Sequence, residues 1–314
     1  MTKKIKNICI YGIGGVGGYF GGKIAHKINT GNYNDLKVSF ISRGENLLAL
    51  HQKGLKLITD DEEITSVPHL STDDITQIPT PDLYLLCVKG YDLNEAAISI
   101  SKNISPQTIV LPLLNGIDIY DRVKENLPDT VVLPACVYIS SSIEKPAVVR
   151  QKGPAGKIFF GQDQEMKNYD YQKITNFFQL MEINASMTEN ISEIVWEKYI
   201  FIAPFSLITA YADKTIGEVM ADAELKKITI NIIQEVIRIG QAKKIRFKEN
   251  ILENVLKIAN NFPFDTKTSF QRDYEKGTGR HEGDIFGGTL IRMSNELQIT
   301  IPTIEEICTK LNII

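Results

Sequence analysis

Three glycines near the N-terminus have the spacing Gly-x-Gly-x-x-Gly directly after an apolar run. Gly12, Gly14 and Gly17 follow an apolar run that ends at Tyr11, and residues 19–28 contain no proline and can form a helix. In a strand–turn–helix unit the first glycine makes the tight turn, the second admits a pyrophosphate, and the third lets the helix pack on the sheet. The predicted cofactor turn comprises Gly12, Ile13, Gly14, Gly15, Val16 and Gly17. The alternative is an ordinary glycine-rich turn.

A basic residue follows the second predicted strand, where the ribose of a dinucleotide is recognised. The apolar run over residues 36–41 predicts this strand, and Ser42 and Arg43 come directly after it. An acidic residue at this place favours the 2′-hydroxyl of NAD, whereas an arginine favours a 2′-phosphate, to which a guanidinium can bind through two hydrogen bonds. The pattern therefore predicts NADP(H) as the cofactor, unless Arg43 is simply a solvated surface residue.

Two later apolar runs end in polar residues at the same predicted edge of the sheet. Residues 83–88 predict a strand buried on both faces that is followed by Lys89, and residues 108–114 predict a strand that is followed by Asn115. Ligands of open α/β sheets bind outside the carboxyl ends of the strands. Lys89 and Asn115 are therefore candidate site residues, although each also has an ordinary structural explanation, as a strand-end lysine and as an Asn-Gly turn.

Lys198 is the candidate proton donor. Only four histidines occur in the chain, and two of them, His26 and His51, fall in predicted helices of the first half. Lys198 follows Trp196 and precedes fourteen uncharged residues, and it shares a helical face with Ile202 and Ser206. A partly buried lysine can stabilise and protonate a developing alkoxide. The alternative is a surface lysine that pairs with a nearby glutamate such as Glu193 or Glu197.

The element pattern divides the chain into two parts. Strand and helix patterns alternate over residues 1–188, whereas residues 189–314 are helical in character. The first part also predicts a hairpin over residues 55–59 and 63–68, one strand over residues 131–138, and two antiparallel strands over residues 148–150 and 157–161. We therefore expect an α/β protein: a Rossmann-type doubly wound sheet that binds NADP (1–188), then an all-α substrate and catalytic domain (189–314).

Composition is that of an ordinary globular protein and excludes several function classes. The net charge of −3 and the hydrophobic content of 43% do not indicate a nucleic-acid or membrane-surface partner. The longest uncharged run, residues 7–22, has 16 residues, and the run over residues 199–212 has 14, whereas a membrane span needs roughly 20. The four cysteines lie in apolar contexts without a CxxC pair. These features predict a reduced cytoplasmic protein with buried thiols and no metal site.

Six short motifs occur in an order typical of one enzyme family. They are Gly12–Gly17, Ser42-Arg43, Cys87-Val88-Lys89, Leu114-Asn115-Gly116, Trp196-Glu197-Lys198, and residues 268–273 followed by 281–284. In this set and order, the chain resembles the ketopantoate reductases (2-dehydropantoate 2-reductases). The resemblance spans nearly the whole sequence.

The resemblance implies reduction of 2-dehydropantoate, a 2-oxo acid, to pantoate with NADPH in pantothenate biosynthesis. Lys198 would donate the proton to the substrate carbonyl, and Glu282 would support that lysine and the nicotinamide ribose. Asn115 would lie between cofactor and substrate, and Ser269 would hold the substrate carboxylate. The remaining implied cofactor contacts come from Arg43, Lys89 and the backbone of Ser140.

Two positions depart from the family pattern and leave the substrate open. The family often has asparagine where this chain has Ile202 and Ser206. Ser206 can still hydrogen-bond a substrate, whereas Ile202 cannot. A reductase of another branched 2-oxo acid is therefore one alternative, and a non-catalytic NADP-binding redox sensor is another. A small-molecule substrate is the expected partner, and the helical part could form a homodimer.

Overall fold

The computed structural model describes residues 4–166 and 169–313, which form two compact units. Unit 1 contains the chain up to Leu114 together with Ile119–Ile191. Unit 2 contains Ser192–Ile314 together with the short segment Asn115–Asp118. The segment Asn115–Asp118 therefore interrupts unit 1 in sequence and belongs with the helices of unit 2.

The main sheet of unit 1 has six parallel strands. Their bounds are β1 (Asn7–Tyr11), β2 (Lys37–Ile41), β5 (Leu70–Thr72), β6 (Leu83–Leu86), β7 (Ile109–Pro112) and β8 (Val131–Val132). The spatial order is β5-β2-β1-β6-β7-β8, and all neighbours are parallel. Counted within the sheet this is the order 3-2-1-4-5-6 of dinucleotide-binding folds. The expected doubly wound sheet is confirmed, and its third strand, β5, was missed because it has only three residues.

Two smaller sheets complete unit 1. Their strands are β3 (Leu55–Ile58), β4 (Glu63–Ser66), β9 (Ala135–Tyr138), β10 (Ser141–Lys145), β11 (Val148–Gln151), β12 (Lys157–Phe160) and β13 (Ala185–Met187). One sheet has the order β10-β11-β3-β4 and the other has the order β13-β12-β9. The predicted hairpin is confirmed, because β3 and β4 pair antiparallel.

Two strand predictions in this region are wrong. Residues 131–138 form two strands in different sheets, β8 and β9, and Pro134 lies between them without an N–H to continue a ladder. The strands β11 and β12 do not pair with each other. The strand β11 lies between β10 and β3, and β12 lies between β9 and β13. The partners β3 of β11 and β13 of β12 are distant in sequence, so local alternation cannot show these pairings.

The helices of unit 1 pack on these sheets. Their bounds are α1 (Gly15–Thr30), α2 (Gly44–Lys53), α3 (Leu93–Ile100), α4 (Ile119–Asn126) and α5 (Gln172–Leu180). Every residue of β6 and β7 is buried, as expected of parallel strands covered on both faces. Burial also raises the pKa of Cys9 and Cys87 well above the usual thiol value, so both remain protonated.

Unit 2 is helical, as expected. Its helices are α6 (Ile191–Ala212), α7 (Ile216–Ala221), α8 (Ala223–Ala242), α9 (Ile251–Asn260), α10 (Ser269–Tyr274), α11 (Thr289–Leu297) and α12 (Pro302–Lys310), and a π-helical turn spans Asp284–Gly288. The carboxylate of Glu235 on α8 is 3% exposed and accepts hydrogen bonds from the N–H groups of Thr303 and Ile304. It therefore satisfies the first turn of α12 with a charge that the helix dipole favours.

All four cysteines are buried and unbridged. Within the described ranges, histidine, cysteine and carboxylate side chains form no group of three or more that could hold a metal ion. A search of the same residues found no helix with the length and apolar character required for a membrane span.

Candidate active site

The cofactor turn, Gly12–Gly17, connects β1 to α1 and cannot accommodate side chains at its two ends. Gly12 has φ +95°, and a Cβ there would lie 3.0 Å from the backbone of Cys87. A Cβ on Gly17 would lie 2.0 Å from the carbonyl oxygen of Gly12. Gly14 differs, because a Cβ there would have no atom within 4 Å. The turn is therefore closed against the sheet at both ends and open at its middle, where a pyrophosphate must approach.

The start of α1 leaves its backbone donors available to an anion. Gly14 precedes the helix, and in the described structure no side chain caps the helix and no acidic residue lies in its first turn. The unpaired N–H groups and the positive end of the helix dipole favour a negatively charged ligand. The open side of Gly14 and the uncapped helix together fit the pyrophosphate of a dinucleotide.

Asn46, which the sequence analysis did not single out, braces this region. Its Nδ2 donates to the carbonyl oxygen of Ile13 at 3.0 Å and to Ser42 Oγ at 2.9 Å, and its Oδ1 accepts from Ala147 N at 2.8 Å. One side chain thus ties the cofactor turn to the end of β2 and to the β10–β11 connection. Asn46 is the third residue of α2, and the sequence gave no signal for its role, because Ile13 and Ala147 lie 33 and 101 positions away.

The β10 strand packs directly against the start of α1. A Cβ on Gly15 would lie 2.4 Å from the carbonyl oxygen of Ser141, so only glycine allows this approach. The Ser141 Oγ is buried and, among the described residues, has no hydrogen-bond partner. A buried hydroxyl without a partner carries a desolvation cost, which a polar ligand group could offset. The predicted residue Ser140 lies one position earlier and is exposed.

The predicted 2′-phosphate ligand Arg43 directly precedes α2 and pairs with an acid that was not expected from the sequence. Arg43 Nη2 lies 2.7 Å from Asp92 Oδ2, in a short turn over Gly90–Asp92 that follows Lys89. The arginine side chain is 62% exposed and the aspartate side chain 19%. Lys89 is half-buried at the head of the same turn. Guanidinium and carboxylate therefore lie together at the carboxyl edge of the sheet.

A tyrosine hydroxyl lies near this edge and remains protonated. Burial raises the pKa of Tyr11, the last residue of β1, and a hydrogen bond with Ser99 and the nearby Arg43 charge only partly oppose that effect. A neutral Tyr11 therefore adds no negative charge near Arg43.

In unit 2 the candidate acid contacts the Asn-Gly asparagine. Lys198 Nζ on α6 donates to Asn115 Oδ1 at 2.8 Å, although the two residues are 83 positions apart. Both side chains are half-buried. The neighbouring Glu197 carboxylate lies 3.3 Å from Lys248 Nζ. The structure thus brings Lys198 and Asn115 together, and we call them the lysine–asparagine pair.

The other end of the segment Asn115–Asp118 is also held by unit 2. Thr289 Oγ1 donates to Asp118 Oδ2 at 2.9 Å, and Arg292 Nη2 lies 3.8 Å from the same oxygen. Arg292 in turn pairs with Asp284 at 2.6 Å. The asparagine of the pair is therefore fixed by bonds at both ends of a four-residue segment.

Glu282 is buried at the start of the π-helical turn. The residue is only 4% exposed. Its backbone carbonyl oxygen accepts hydrogen bonds from the N–H groups of Ile285 and Phe286. Tyr199, next to Lys198, donates its hydroxyl to the Ile285 carbonyl at 2.7 Å and stacks on Phe286. A π-helical turn leaves carbonyl groups without their α-helical partners and is frequent at functional sites. The tyrosine therefore links the helix that carries Lys198 to the π-helical turn that follows Glu282.

The remaining predicted substrate residues lie on α6 and α10. Ser206 is 3% exposed, and Ser269 is half-buried at the first position of α10. The hydroxyls of Thr209 and Thr268 lie 3.0 Å apart and connect the two helices beside these serines. Ile202 is half-buried one turn after Lys198.

The parallel sheet with the strand order 3-2-1-4-5-6, together with its open glycine turn, defines a Rossmann-type dinucleotide-binding fold. The family model described as "Ketopantoate reductase PanE/ApbA" matches residues 8–165, and its C-terminal counterpart matches residues 190–314. The chain belongs to the ketopantoate reductase (PanE/ApbA) family. It is thus an oxidoreductase of a family that uses a nicotinamide cofactor.

Individual relatives are distant but match over nearly their full length. The uncharacterized oxidoreductase YkpB of Bacillus subtilis is 22% identical over 303 residues, with 96% of each chain covered. A 2-dehydropantoate 2-reductase of Streptococcus pyogenes is 25% identical over 300 residues, which cover 94% of this chain and 93% of the relative. A D-mandelate dehydrogenase solved with NADH and anilino(oxo)acetate has a TM-score of 0.84 at 18% identity, with 98% and 97% of the two chains covered. The last similarity concerns the fold alone.

Proposed function

We propose that this protein reduces 2-dehydropantoate to pantoate with NADPH and thereby serves pantothenate biosynthesis. The observation that carries the proposal is the 2.8 Å hydrogen bond from Lys198 Nζ to Asn115 Oδ1, in a chain of the ketopantoate reductase family. The 2-dehydropantoate 2-reductase of Streptococcus pyogenes, similar over nearly the whole chain, supports the choice of substrate.

The cofactor side of the proposal rests on unit 1. The backbone of Gly12–Gly17 and the start of α1 would bind the pyrophosphate, and Arg43 with Ser42 would bind the 2′-phosphate. Lys89 and the backbone of Ser140 would make further contacts. A bound NADPH would supply the hydride that reduces the keto carbon.

The substrate side rests on unit 2, where Lys198 acts as the acid. Negative charge grows on the carbonyl oxygen as the carbon is reduced, and the Lys198 ammonium stabilises that charge before it transfers a proton. Asn115 Oδ1 accepts from Lys198 Nζ and so fixes the direction in which the ammonium points. Glu282 would support the lysine and the nicotinamide ribose. Ser269 would hold the substrate carboxylate, and Ser206 would bind its hydroxyl end.

A second candidate is the reduction of another branched 2-oxo acid, and Ile202 is the observation that favours it. Its half-buried side chain on the face of Lys198 offers no hydrogen bond to a substrate hydroxyl, and loss of one buried polar contact can cost about 1–3 kcal/mol. A non-catalytic redox sensor is the third candidate, and the retained Lys198 and Glu282 argue against it.

The test is NADPH oxidation at 340 nm by the purified chain with 2-dehydropantoate and with a panel of branched and aromatic 2-oxo acids. We expect the highest kcat/KM with 2-dehydropantoate. Higher turnover with another acid would retain the mechanism and change the substrate. NADPH binding without oxidation of any acid in the panel would favour the sensor.

A matched variant separates substrate fit from chemistry. I202N places an amide on the face of Lys198, and we expect it to raise kcat/KM for 2-dehydropantoate relative to an acid that lacks the hydroxyl. A parallel rise for both acids would mean that Ile202 does not face the substrate hydroxyl.

A further inference from the structure

The ion pair between Arg43 and Asp92 places a carboxylate where the cofactor domain is expected to bind a phosphate. Arg43 directly follows Ser42 after β2, and Asp92 ends the turn after β6. The strands β2 and β6 both flank β1, and all three are parallel, so both residues belong to the same edge of the sheet. The 2.7 Å separation between Nη2 and Oδ2 shows that the two side chains meet there.

Asp92 is held more firmly than its partner. Its backbone N–H donates to the Lys89 carbonyl at 2.9 Å, and its side chain is 19% exposed against 62% for Arg43. A 2′-phosphate can therefore draw the exposed guanidinium away, but the carboxylate stays within a few ångströms of the incoming charge. An exposed ion pair is weak and easily exchanged, whereas repulsion between a phosphate and a partly buried carboxylate persists.

Resting on the NADPH assignment above, we propose that Asp92 is the residue that sets cofactor specificity in this chain. Its carboxylate competes with the 2′-phosphate for Arg43 and repels it, which lowers the preference for NADP(H). With NAD(H) the same carboxylate accepts a hydrogen bond from the free 2′-hydroxyl, the role that an acid after the second strand has in NAD-binding sheets. The chain therefore uses both cofactors, and the balance between them depends on Asp92 as well as on Arg43.

The test measures binding rather than turnover. Dissociation constants of NADP⁺ and NAD⁺, and of the fragments 2′,5′-ADP and 5′-AMP, are determined by calorimetry for the full chain and its variants. For D92N we expect NADP⁺ and 2′,5′-ADP to bind about tenfold more tightly, because one like charge near the phosphate is removed. NAD⁺ and 5′-AMP should bind no more tightly than before. The gain should shrink at high ionic strength.

Three control variants identify the cause. D73N makes the same charge change just after β5, on an exposed residue, and D92E keeps the charge; both should retain the wild-type ratio of NADP⁺ to NAD⁺ affinity. R43A should weaken NADP⁺ and 2′,5′-ADP but not NAD⁺.

Each outcome bears on a distinct statement. Weaker NADP⁺ binding by D92N would mean that Asp92 organises Arg43 for the phosphate, and an equal gain in D73N would mean a general charge effect; either result overturns the proposal. If R43A loses its preference for NADP⁺ while D92N binds both cofactors with wild-type affinity, the role proposed for Asp92 is wrong and the assignment of Arg43 stands. If R43A leaves the ratio unchanged, the NADPH assignment of the proposed function fails first.

Discussion

The cofactor turn of unit 1 is built from backbone, whereas the lysine–asparagine pair of unit 2 is built from side chains. In the turn, the important property is the absence of Cβ atoms, at Gly12 and Gly17 for packing and at Gly14 for access. In unit 2, Asn115, Lys198 and the π-helical turn over Asp284–Gly288 come from separate segments and are joined by side-chain hydrogen bonds.

This difference determines how each region tolerates change. A backbone site fails when a single added atom collides with its neighbours, since well-packed atoms cannot give way. A side-chain site can lose one functional group while its framework remains. A substitution there can therefore lower activity without lowering the free energy of unfolding. The predictions below test that separation, in order of decreasing expected effect.

G17A should have the largest effect, on both folding and cofactor binding. The new Cβ would lie 2.0 Å from the Gly12 carbonyl oxygen, and overpacking of this kind costs about 3 kcal/mol or more. We expect a matching loss of unfolding free energy by chemical denaturation and a weakening of NADPH binding on the order of 100-fold.

G14A is the matched control for that variant, because its Cβ meets no atom within 4 Å. It should leave the unfolding free energy within about 0.5 kcal/mol while still weakening NADPH, since the methyl group occupies the open side of the turn. If G14A destabilised the fold as much as G17A, the distinction between packing and access would be wrong.

K198A should reduce turnover strongly without affecting the fold. Removal of a general acid typically lowers kcat by about 10²–10⁴-fold, and we expect NADPH affinity and the denaturation midpoint to change little. The control is K257A, an exposed lysine on α9, which should keep wild-type turnover. Near-normal turnover by K198A would remove it as the proton donor.

D163N should lower stability, whereas K198A should lower activity. Asp163 is the partner of Lys124, a buried lysine with a structural role. Asp163 is fully buried, and its carboxylate lies 2.9 Å from Lys124 Nζ and accepts from Tyr120 and Val132 N. Breaking such a pair typically costs about 3 kcal/mol, measured by denaturation. E165Q removes the exposed partner of the same lysine and should cost less than about 1 kcal/mol.

The pH dependence of that loss has a definite sign. Burial acts to raise the pKa of Asp163, but the hydrogen bonds from Lys124, Val132 N–H and Tyr120 together lower it. A carboxylate with a lowered folded-state pKa contributes stability above its unfolded pKa of about 3.9, and loses it as the pH falls toward the folded value. The difference between wild type and D163N should therefore be full at pH 7 and shrink below pH about 4. A difference that grew on acidification would contradict the assignment.

Y199F should have the smallest effect. It keeps the ring that stacks on Phe286 and removes only the hydroxyl that donates to the Ile285 carbonyl. One buried hydrogen bond contributes about 1 kcal/mol, and we expect a similar loss of unfolding free energy with a kcat about fivefold lower. The kcat should fall while the KM for NADPH stays at its wild-type value. An unchanged kcat would show that the Tyr199 hydroxyl is not needed to position the π-helical turn.

The cofactor turn could be predicted from sequence because its information is local. Six contiguous residues and one following helix specify it, and the parallel sheet follows from the apolar runs of β1, β2, β6 and β7. The contacts of Asn46 and Asp92 could not be predicted, since each joins segments that only the folded chain brings together. The same reason explains why the predicted pairing of β11 with β12 was wrong. The strand β11 lies instead beside β3, which is more than 80 residues earlier in the chain.

Asn115 could be predicted from the sequence only in part. The pattern placed it at the end of a strand, and the family resemblance implied a position between cofactor and substrate. Its hydrogen bond to Lys198, 83 residues away, is seen only in the structure. Its roles, like those of Glu282, Ser206 and Ser269, remain predictions for the experiments above.

The segment Asn115–Asp118 has a consequence for dissection of the protein. It interrupts unit 1 in sequence while its contacts belong to unit 2, so the two units are not consecutive pieces of chain. A helical fragment cut at residue 190 would keep Lys198 but lose the oxygen that accepts from it, and it would also lose Asp118 beside Thr289. Recombining separately expressed halves would therefore return Lys198 to its hydrogen-bond partner only when the first half also supplies those four residues.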